Sequence, residues 1–231
     1  MKKDIVIFGS GAHSKIVFFE LSKYREYNIL GFVDNYYRSK QPVIFFKNQN
    51  YYNLGNIKLF FSKIKKKYKT SKFNIYGIIG VGLNYSRKKI RNEVEEIDKN
   101  FKWEKLISKN SILNGKVNIG EGTLIMSGVV INNNTKIGKH CIINSSSSID
   151  HDNSFKDFSS CGPGVVTGGG VKVGENSYLG IGCVIKNNIK IGKNTVIGGN
   201  SFVNQNCLSN STYIGTPCKK INTKKEGTFY L

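Results

Sequence analysis

From Ile107 onward an aliphatic residue recurs at every sixth position, through Leu113, Ile119, Ile125, Ile131, Ile137, Ile143 and Ile149 to Ile191, Ile197 and Val203. Of these 17 positions, 15 are Ile, Leu, Val or Phe, and the exceptions are Cys161 and Thr167. Four residues further on stands a small or β-branched residue in most repeats, as at Thr123, Thr135, Cys141, Ser147, Asn153, Ser177, Cys183 and Thr195. Gly often follows the aliphatic residue, as at Gly120, Gly138, Gly174, Gly180, Gly192 and Gly198. No α-helix uses such a period, because successive aliphatics would advance by about 600° and spiral around it. Each hexapeptide instead predicts one short strand and a tight turn. The aliphatic residue points inward, the small residue fills an inner corner, and Gly or Asn supplies turn geometry at positive φ. Three hexapeptides close one triangular coil of a parallel β-helix, so the 17 repeats predict between five and six coils.

The first hundred residues follow another pattern. Ile5-Val6-Ile7-Phe8 reads as a buried strand, then comes Gly9-Ser10-Gly11-Ala12-His13-Ser14-Lys15, then a helix through Leu21. A second strand, Ile29 to Val33, ends in Asp34; a third, Ile75 to Ile79, ends in Gly80-Val81-Gly82-Leu83-Asn84, with a helix over Ser86 to Asp98. Strand, Gly-rich turn, helix, strand and acid form a Rossmann-type α/β order, and Asp34 stands where a ribose contact would. Ser14 replaces the third glycine of the dinucleotide fingerprint, so the loop alone is weak evidence for a dinucleotide. A helix N-terminus still offers an anion site for a phosphate or a sugar carboxylate. The predicted organisation is a Rossmann-like domain over residues 1–100, a junction at 101–105, the β-helix over 106–219 and a tail from 220 to 231.

Composition changes this picture little. The net charge is +20, but 31 of the 35 basic residues are Lys, and Asn is also frequent. Nucleic-acid readout favours Arg, so no nucleic-acid partner is expected. The Lys58–Lys72 run reads as a solvated helical face, and the positive potential suits polyanionic small substrates. No segment approaches the ~20 apolar residues of a membrane span, and the opening apolar run is too short for a secretory signal. A cytoplasmic location without membrane insertion is the expectation. The five cysteines show neither disulfide nor metal spacing. Cys141, Cys183 and Cys207 fall in the small inner slot and Cys161 in the aliphatic one, so a core role is expected and no metal.

Taken together, the two halves resemble the bacterial sugar acetyltransferase family that includes UDP-bacillosamine and GDP-perosamine N-acetyltransferases and sialic-acid O-acetyltransferase. The resemblance rests on the Gly9–Lys15 turn, Val33-Asp34-Asn35, the segment from Gly80 to Ile90, and Ile143 to Asp152. Cys161-Gly162-Pro163-Gly164 and Ile214-Gly215-Thr216-Pro217-Cys218-Lys219 complete it. It implies a left-handed β-helix, acetyl-CoA as donor, no metal and a homotrimer with sites between subunits. It also implies sugar-substrate contacts at Gly9, Ser10, Gly11, His13, Lys15, Asp34, Asn35, Gly82, Asn84, Arg87 and Asn144. Coenzyme contacts are expected at Gly162, Gly164, Gly180 and Gly182, and at Ser160, which replaces a histidine that some members carry.

The catalytic expectation falls on His151. It lies two residues past inward Ile149, hence on the outer surface, between Asp150 and Asp152. Acyl transfer from a thioester requires removal of the acceptor's proton, and a histidine near pKa ~6.5 suits that at neutral pH. By the resemblance, Asp152 orients the ring. His140 occupies an ordinary turn slot and reads as a surface residue. The activity implied is N-acetylation of a nucleotide-linked amino sugar in surface-glycan biosynthesis. O-acetylation of sialic acid or another nonulosonic acid is the alternative, and a non-catalytic β-helix binding protein is a rival of another class.

Overall fold

The computed structural model describes residues 2–35, 41–68 and 74–223. Two compact units divide the chain, Met1–Gly82 with Ser86–Glu104, and Leu83–Tyr85 with Lys105–Leu231.

The first unit runs β1 (Lys3–Phe8), α1 (Ala12–Leu21), β2 (Tyr27–Val33), β3 (Ile44–Phe46), β4 (Gln49–Tyr51), α2 (Ile57–Tyr68), β5 (Ile75–Ile79), α3 (Asn84–Ile97) and β6 (Lys102–Trp103). Its main sheet has the order β2-β1-β5-β6, and every pairing is parallel. Ile5, Val6, Ile7 and Phe8 are fully buried, as a central strand covered on both faces requires. The predicted junction at 101–105 is corrected here. Lys102 and Trp103 pair with β5, and Phe101 and Trp103 pack edge-on against each other and near Phe8. The aromatic content of that segment draws it into the core of the first unit. On α2, Ile57, Phe60, Phe61 and Ile64 are buried while Lys58, Lys63 and Lys66 are exposed. The end of the lysine run, Lys69 to Lys72, lies outside the described residues.

The second unit is a hexapeptide-repeat parallel β-helix. Seventeen two-residue strands, from Leu106–Ile107 to Phe202–Val203, start six residues apart. Each pairs in parallel with the strand eighteen residues away, as Ile131 does with Leu113 and Ile149. Three sheets result, and antiparallel strands Ser211–Gly215 and Cys218–Thr223 extend one of them. From Ile125 to Val203 every inward position of the six-residue series is buried. Leu113 is 36% exposed and Ile107 and Ile119 half-buried, because no earlier coil covers the first one. The five cysteines are free and buried, four of them in slots the repeat reserves for small or apolar side chains.

Turn geometry differs from expectation. Positive φ falls three residues after the aliphatic position, at Gly128, Asn134, His140, Ser146, Asp152, Phe158, Gly164 and onward in steps of six. The glycine directly after the aliphatic residue serves close packing instead. A Cβ on Gly120 would stand 2.5 Å from the Gly138 carbonyl carbon, and one on Gly174 2.5 Å from that of Gly192. His140 is likewise corrected: it is only 1% exposed and stacks on Phe158, ring centroids 5.2 Å apart, one coil further on.

Candidate active site

In the first unit the Gly-rich turn is held by its neighbours. Gly9 adopts φ +102°, and a side chain there would collide with Val81 and Ser14. Ser14 stands in the fingerprint's third-glycine place, and its hydroxyl donates to the Gly80 carbonyl at 2.8 Å. The close helix–strand approach that glycine normally permits is provided from the other side. A Cβ on Gly80 would lie 2.7 Å from Ser14 Cα. The Asp34 carboxylate accepts from the Ser10 backbone N–H at 2.7 Å and its hydroxyl at 2.9 Å through one oxygen, Oδ2. The acid at the end of β2 therefore ties down the turn.

Between these elements opens a cavity of about 700 Å³. Gly9, Ser10, Gly11, His13, Asp34, Asn35 and Gly82 line it, joined by Ser86, Lys89 and Glu93 from α3. The α3 residues were not singled out from sequence, although their spacing of three and four is that of one helix face. Burial, and next the Arg87 guanidinium, push the His13 imidazole down to about pKa 4, so it is neutral at pH 7. Its Nε2 is buried and has no hydrogen-bond partner in the protein.

Four expected sugar contacts lie elsewhere. Arg87 is 1% exposed, and its guanidinium donates to the carbonyls of Val81 and Gly82, so it braces the loop from behind. Asn84 is fully buried in the second unit, where its Nδ2 donates to the Ser177 carbonyl and its Oδ1 accepts from the Ser160 hydroxyl at 2.6 Å. Lys15 is exposed and does not line the cavity. Asn144, half-buried on the β-helix, turns its Oδ1 to the N–H of Ser145.

The β-helix presents His151 at a turn joining two of its sheets. The side chain is 61% exposed, and Nδ1 lies 2.7 Å from Asp152 Oδ2. The hydrogen bond to Asp152, and then the charge of Asp150, hold the imidazole above its ordinary pKa. Both carboxylates are held below the usual carboxylate range. Asp150 accepts from the His151 N–H and from Asn132, whereas Asp152 bonds the His151 ring and Asn134. Beneath the ring lies Gly169, one coil on. A Cβ there would stand 2.6 Å from Cε1 and 2.7 Å from Nε2, so the missing side chain is the space the imidazole occupies. Thr167, one of the two departures from the aliphatic series, accepts the Asp150 N–H through its hydroxyl at 3.2 Å.

The expected coenzyme positions divide. Ser160 is buried against Asn84 and presents no hydroxyl to solvent. Gly162 and Gly180 are also buried: a Cβ would meet Ile181 N at 2.8 Å and Gly199 N at 2.6 Å, respectively. The missing side chains of the two glycines serve coil stacking, with the adjacent coil's backbone nitrogens in their place. Gly164 and Gly182 remain partly accessible, at φ +68° and +65°. No group of three His, Cys, Asp or Glu that could hold a metal occurs among the described residues.

Comparison with known proteins agrees with both halves. Residues 4–94 match the model of the PglD N-terminal domain. Residues 116–151 and 170–205 match the bacterial transferase hexapeptide (six repeats). The chain thus joins a segment that matches the PglD N-terminal domain to hexapeptide repeats of the bacterial transferase type. Perosamine N-acetyltransferase from Caulobacter crescentus, solved with CoA and GDP-perosamine, is 26% identical with a TM-score of 0.81, over 95% of this chain and 97% of that one. The acetyltransferase domain of PglB from Neisseria gonorrhoeae, solved with acetyl coenzyme A, shares the fold at 21% identity and a TM-score of 0.82, over 96% of this chain and all of that one. UDP-3-O-acylglucosamine N-acyltransferase of Methylorubrum extorquens is 34% identical over 105 residues, 46% of this chain and 25% of that protein. The chain thus spans about a quarter of the length of the curated relatives it matches.

Proposed function

We propose that the protein is an acetyl-CoA-dependent N-acetyltransferase acting on the amine of a nucleotide-linked amino sugar in surface-glycan biosynthesis. The observation that carries this reading is the Asp152-bound imidazole of His151 on an exposed turn. With Nδ1 facing Asp152, Nε2 is the atom that takes the acceptor's proton as the amine attacks the thioester carbonyl. The C–N bond forms, the C–S bond breaks, and the proton passes on to the departing thiolate. Such general-base help accelerates transfer by ~10²–10⁴-fold. The two carboxylates stabilise the imidazolium that forms in between.

The cavity of the first unit has the groups an acceptor nucleotide sugar needs: N–H groups at the start of α1, the Lys89 ammonium, and the neutral His13 with a free nitrogen. The likeness to the Caulobacter enzyme supports the same class of acceptor. Gly164 and Gly182 are the places where the coenzyme can approach the backbone. Both substrates are cytoplasmic metabolites, so the proposed reaction is a cytoplasmic one. No helix among the described residues is long and apolar enough to cross a membrane.

A homotrimer is part of the reading. The outward positions of one β-helix sheet are Ile112, Val130, Ser148, Val166, Val184 and Phe202, with Ile112 55%, Val166 42% and Val184 41% exposed. Those of the adjacent sheet are Asn118, Lys136, Ser154, Lys172 and Lys190. An apolar face beside a lysine-rich one favours burial of the first against further copies of the chain, and His151 sits on the turn between them, at the proposed seam between subunits.

The test is thiol release from acetyl-CoA over a panel of UDP-, GDP- and dTDP-linked amino sugars and free nonulosonic acids, with product mass recorded. Turnover confined to nucleotide-linked amines is expected. Turnover only on a nonulosonic-acid hydroxyl, or none on any acceptor, would overturn the proposal.

A further inference from the structure

The inner-corner column of the β-helix repeats one hydrogen bond. A hydroxyl donates to a carbonyl fifteen residues on, from Thr123 to Gly138 at 2.7 Å, Thr135 to Asp150 at 3.0 Å, Ser147 to Gly162 at 3.2 Å and Ser177 to Gly192 at 2.6 Å. Asn153 stands in the same column, 1% exposed, and its Nδ2 makes the equivalent bond to Gly168 at 3.0 Å. It then makes two more, whereas the hydroxyls of this column reach back to one carbonyl of their own turn at most, as Ser111 and Ser159 do three residues back and Ser177 and Thr195 two. The same Nδ2 donates to the carbonyl of Asp150 at 2.7 Å and to that of His151 at 3.2 Å.

A hydroxyl has one hydrogen to donate, and a carboxamide nitrogen has two on a longer arm. In this column only the Asn153 amide makes all three bonds, to the next coil and to both the Asp150 and the His151 carbonyls. The choice is unfavourable for the fold itself. Asn153 Oδ1 is buried without a hydrogen-bond partner in the protein, and an unsatisfied buried acceptor is destabilising. A serine would fill the slot, keep the bond to Gly168 and leave no such oxygen behind. What it would lose is the double grip on the turn that carries His151, since a serine here reaches back to a single carbonyl of its own turn.

We infer that Asn153 is a positioning residue, which fixes the backbone of the Asp150-His151-Asp152 turn so that the imidazole sits over Gly169 and against Asp152. It touches neither substrate and acts through His151 alone, so the inference rests on the reading of His151 as the base. Other restraints bear on the same turn: the Thr135 hydroxyl on the Asp150 carbonyl, the Thr167 hydroxyl on the Asp150 N–H, the Asp150 carboxylate on the His151 N–H, and the Gly170 N–H on the His151 carbonyl.

The test is Asn153→Ser in the full chain, measured in three ways. The melting temperature is expected to be unchanged or higher. kcat for thiol release is expected to fall at least tenfold with both KM values within twofold of the parent. The His151 ring, followed by NMR against the spectrum of His151→Ala, is expected to titrate closer to an ordinary histidine. Should the serine variant melt lower than the parent, Asn153→Thr replaces it, since threonine occupies this slot at Thr123, Thr135 and Thr195. A folded variant with parental kcat and a parental His151 titration would overturn the inference. Failure of the underlying reading has a different signature: His151→Ala would retain turnover while the ring titration in Asn153→Ser still moved.

Discussion

The contact between Gly169 and the His151 ring makes a single added methyl group a sharp perturbation. In Gly169→Ala the new Cβ would stand 2.6 Å from Cε1, 2.7 Å from Nε2 and 3.1 Å from Nδ1. Ordinary non-bonded contact needs about 3.5–4.0 Å, so ring or coil must yield by about 1 Å. The coil is locked by its ladder: the Gly170 N–H donates to the His151 carbonyl and the Asn188 N–H to that of Gly169, both at 2.9 Å. The exposed ring is therefore what moves. The 2.7 Å hydrogen bond between Nδ1 and Asp152 Oδ2 would then lengthen beyond the range in which such bonds hold. Gly169 does not adopt positive φ, so alanine adds no backbone strain, and the melting temperature should stay close to that of the parent. A displacement of about 1 Å at a reacting group costs up to ~10²-fold in rate, and we expect a loss of ten- to a hundredfold in kcat on that basis. The assay is continuous thiol release from acetyl-CoA at saturating acceptor, with kcat followed against pH. A variant with kcat within threefold of the parent and an unmoved acid limb would refute the argument that the glycine is the ring's seat.

Two further outcomes follow from the same geometry. The hydrogen bond to Asp152 is the largest cause of the raised His151 pKa, and a base works only when deprotonated. The acid limb of kcat/KM should thus lie above the ordinary value of about 6.5 in the parent and move down toward it in Asp152→Asn; a limb that stays put or moves up contradicts this. The five cysteines are buried, and burial pushes the Cys183 and Cys207 thiols up to about 12 and raises Cys161 and Cys218 as well. Native protein should react slowly with a disulfide reagent and release five equivalents only on unfolding, whereas rapid labelling of the native chain would show an accessible thiolate.

The architecture was legible because a period of six admits few solutions, and the outward placement of His151 follows from inward Ile149 alone. What was less legible depends on the neighbouring coil, eighteen residues away. The glycines after the aliphatic residues looked like turn residues but are packing residues, since atoms of the next coil or strand lie within 3 Å of where their side chains would be. His140 looked like surface until Phe158 covered it. Ser160, Gly162 and Gly180 were expected at the coenzyme, yet their burial against Asn84 and the adjacent coil is a tertiary fact that spacing does not carry. Thr167 was visible as an odd member of its series, whereas Asn153 was read as an ordinary occupant of its column. Their roles became readable only with the Asp150–His151 turn in place. In the first unit, Asp34 was singled out by its distance from the Gly-rich turn and Ser10 as a sugar contact, but the bonds between them were not read. The α3 wall of the cavity was missed because Ser86, Lys89 and Glu93 read as the ordinary polar face of a helix.

The most direct test of the central claim is the pH-resolved turnover of His151→Ala beside the parent, on the best acceptor from the panel. The parent should show an acid limb set by one group, and the alanine variant should lose at least a hundredfold in kcat near pH 7, within the ~10²–10⁴ range of general-base catalysis, with the limb gone. Near-full turnover by the variant, or a limb that survives the substitution, would contradict the assignment of His151 as the base.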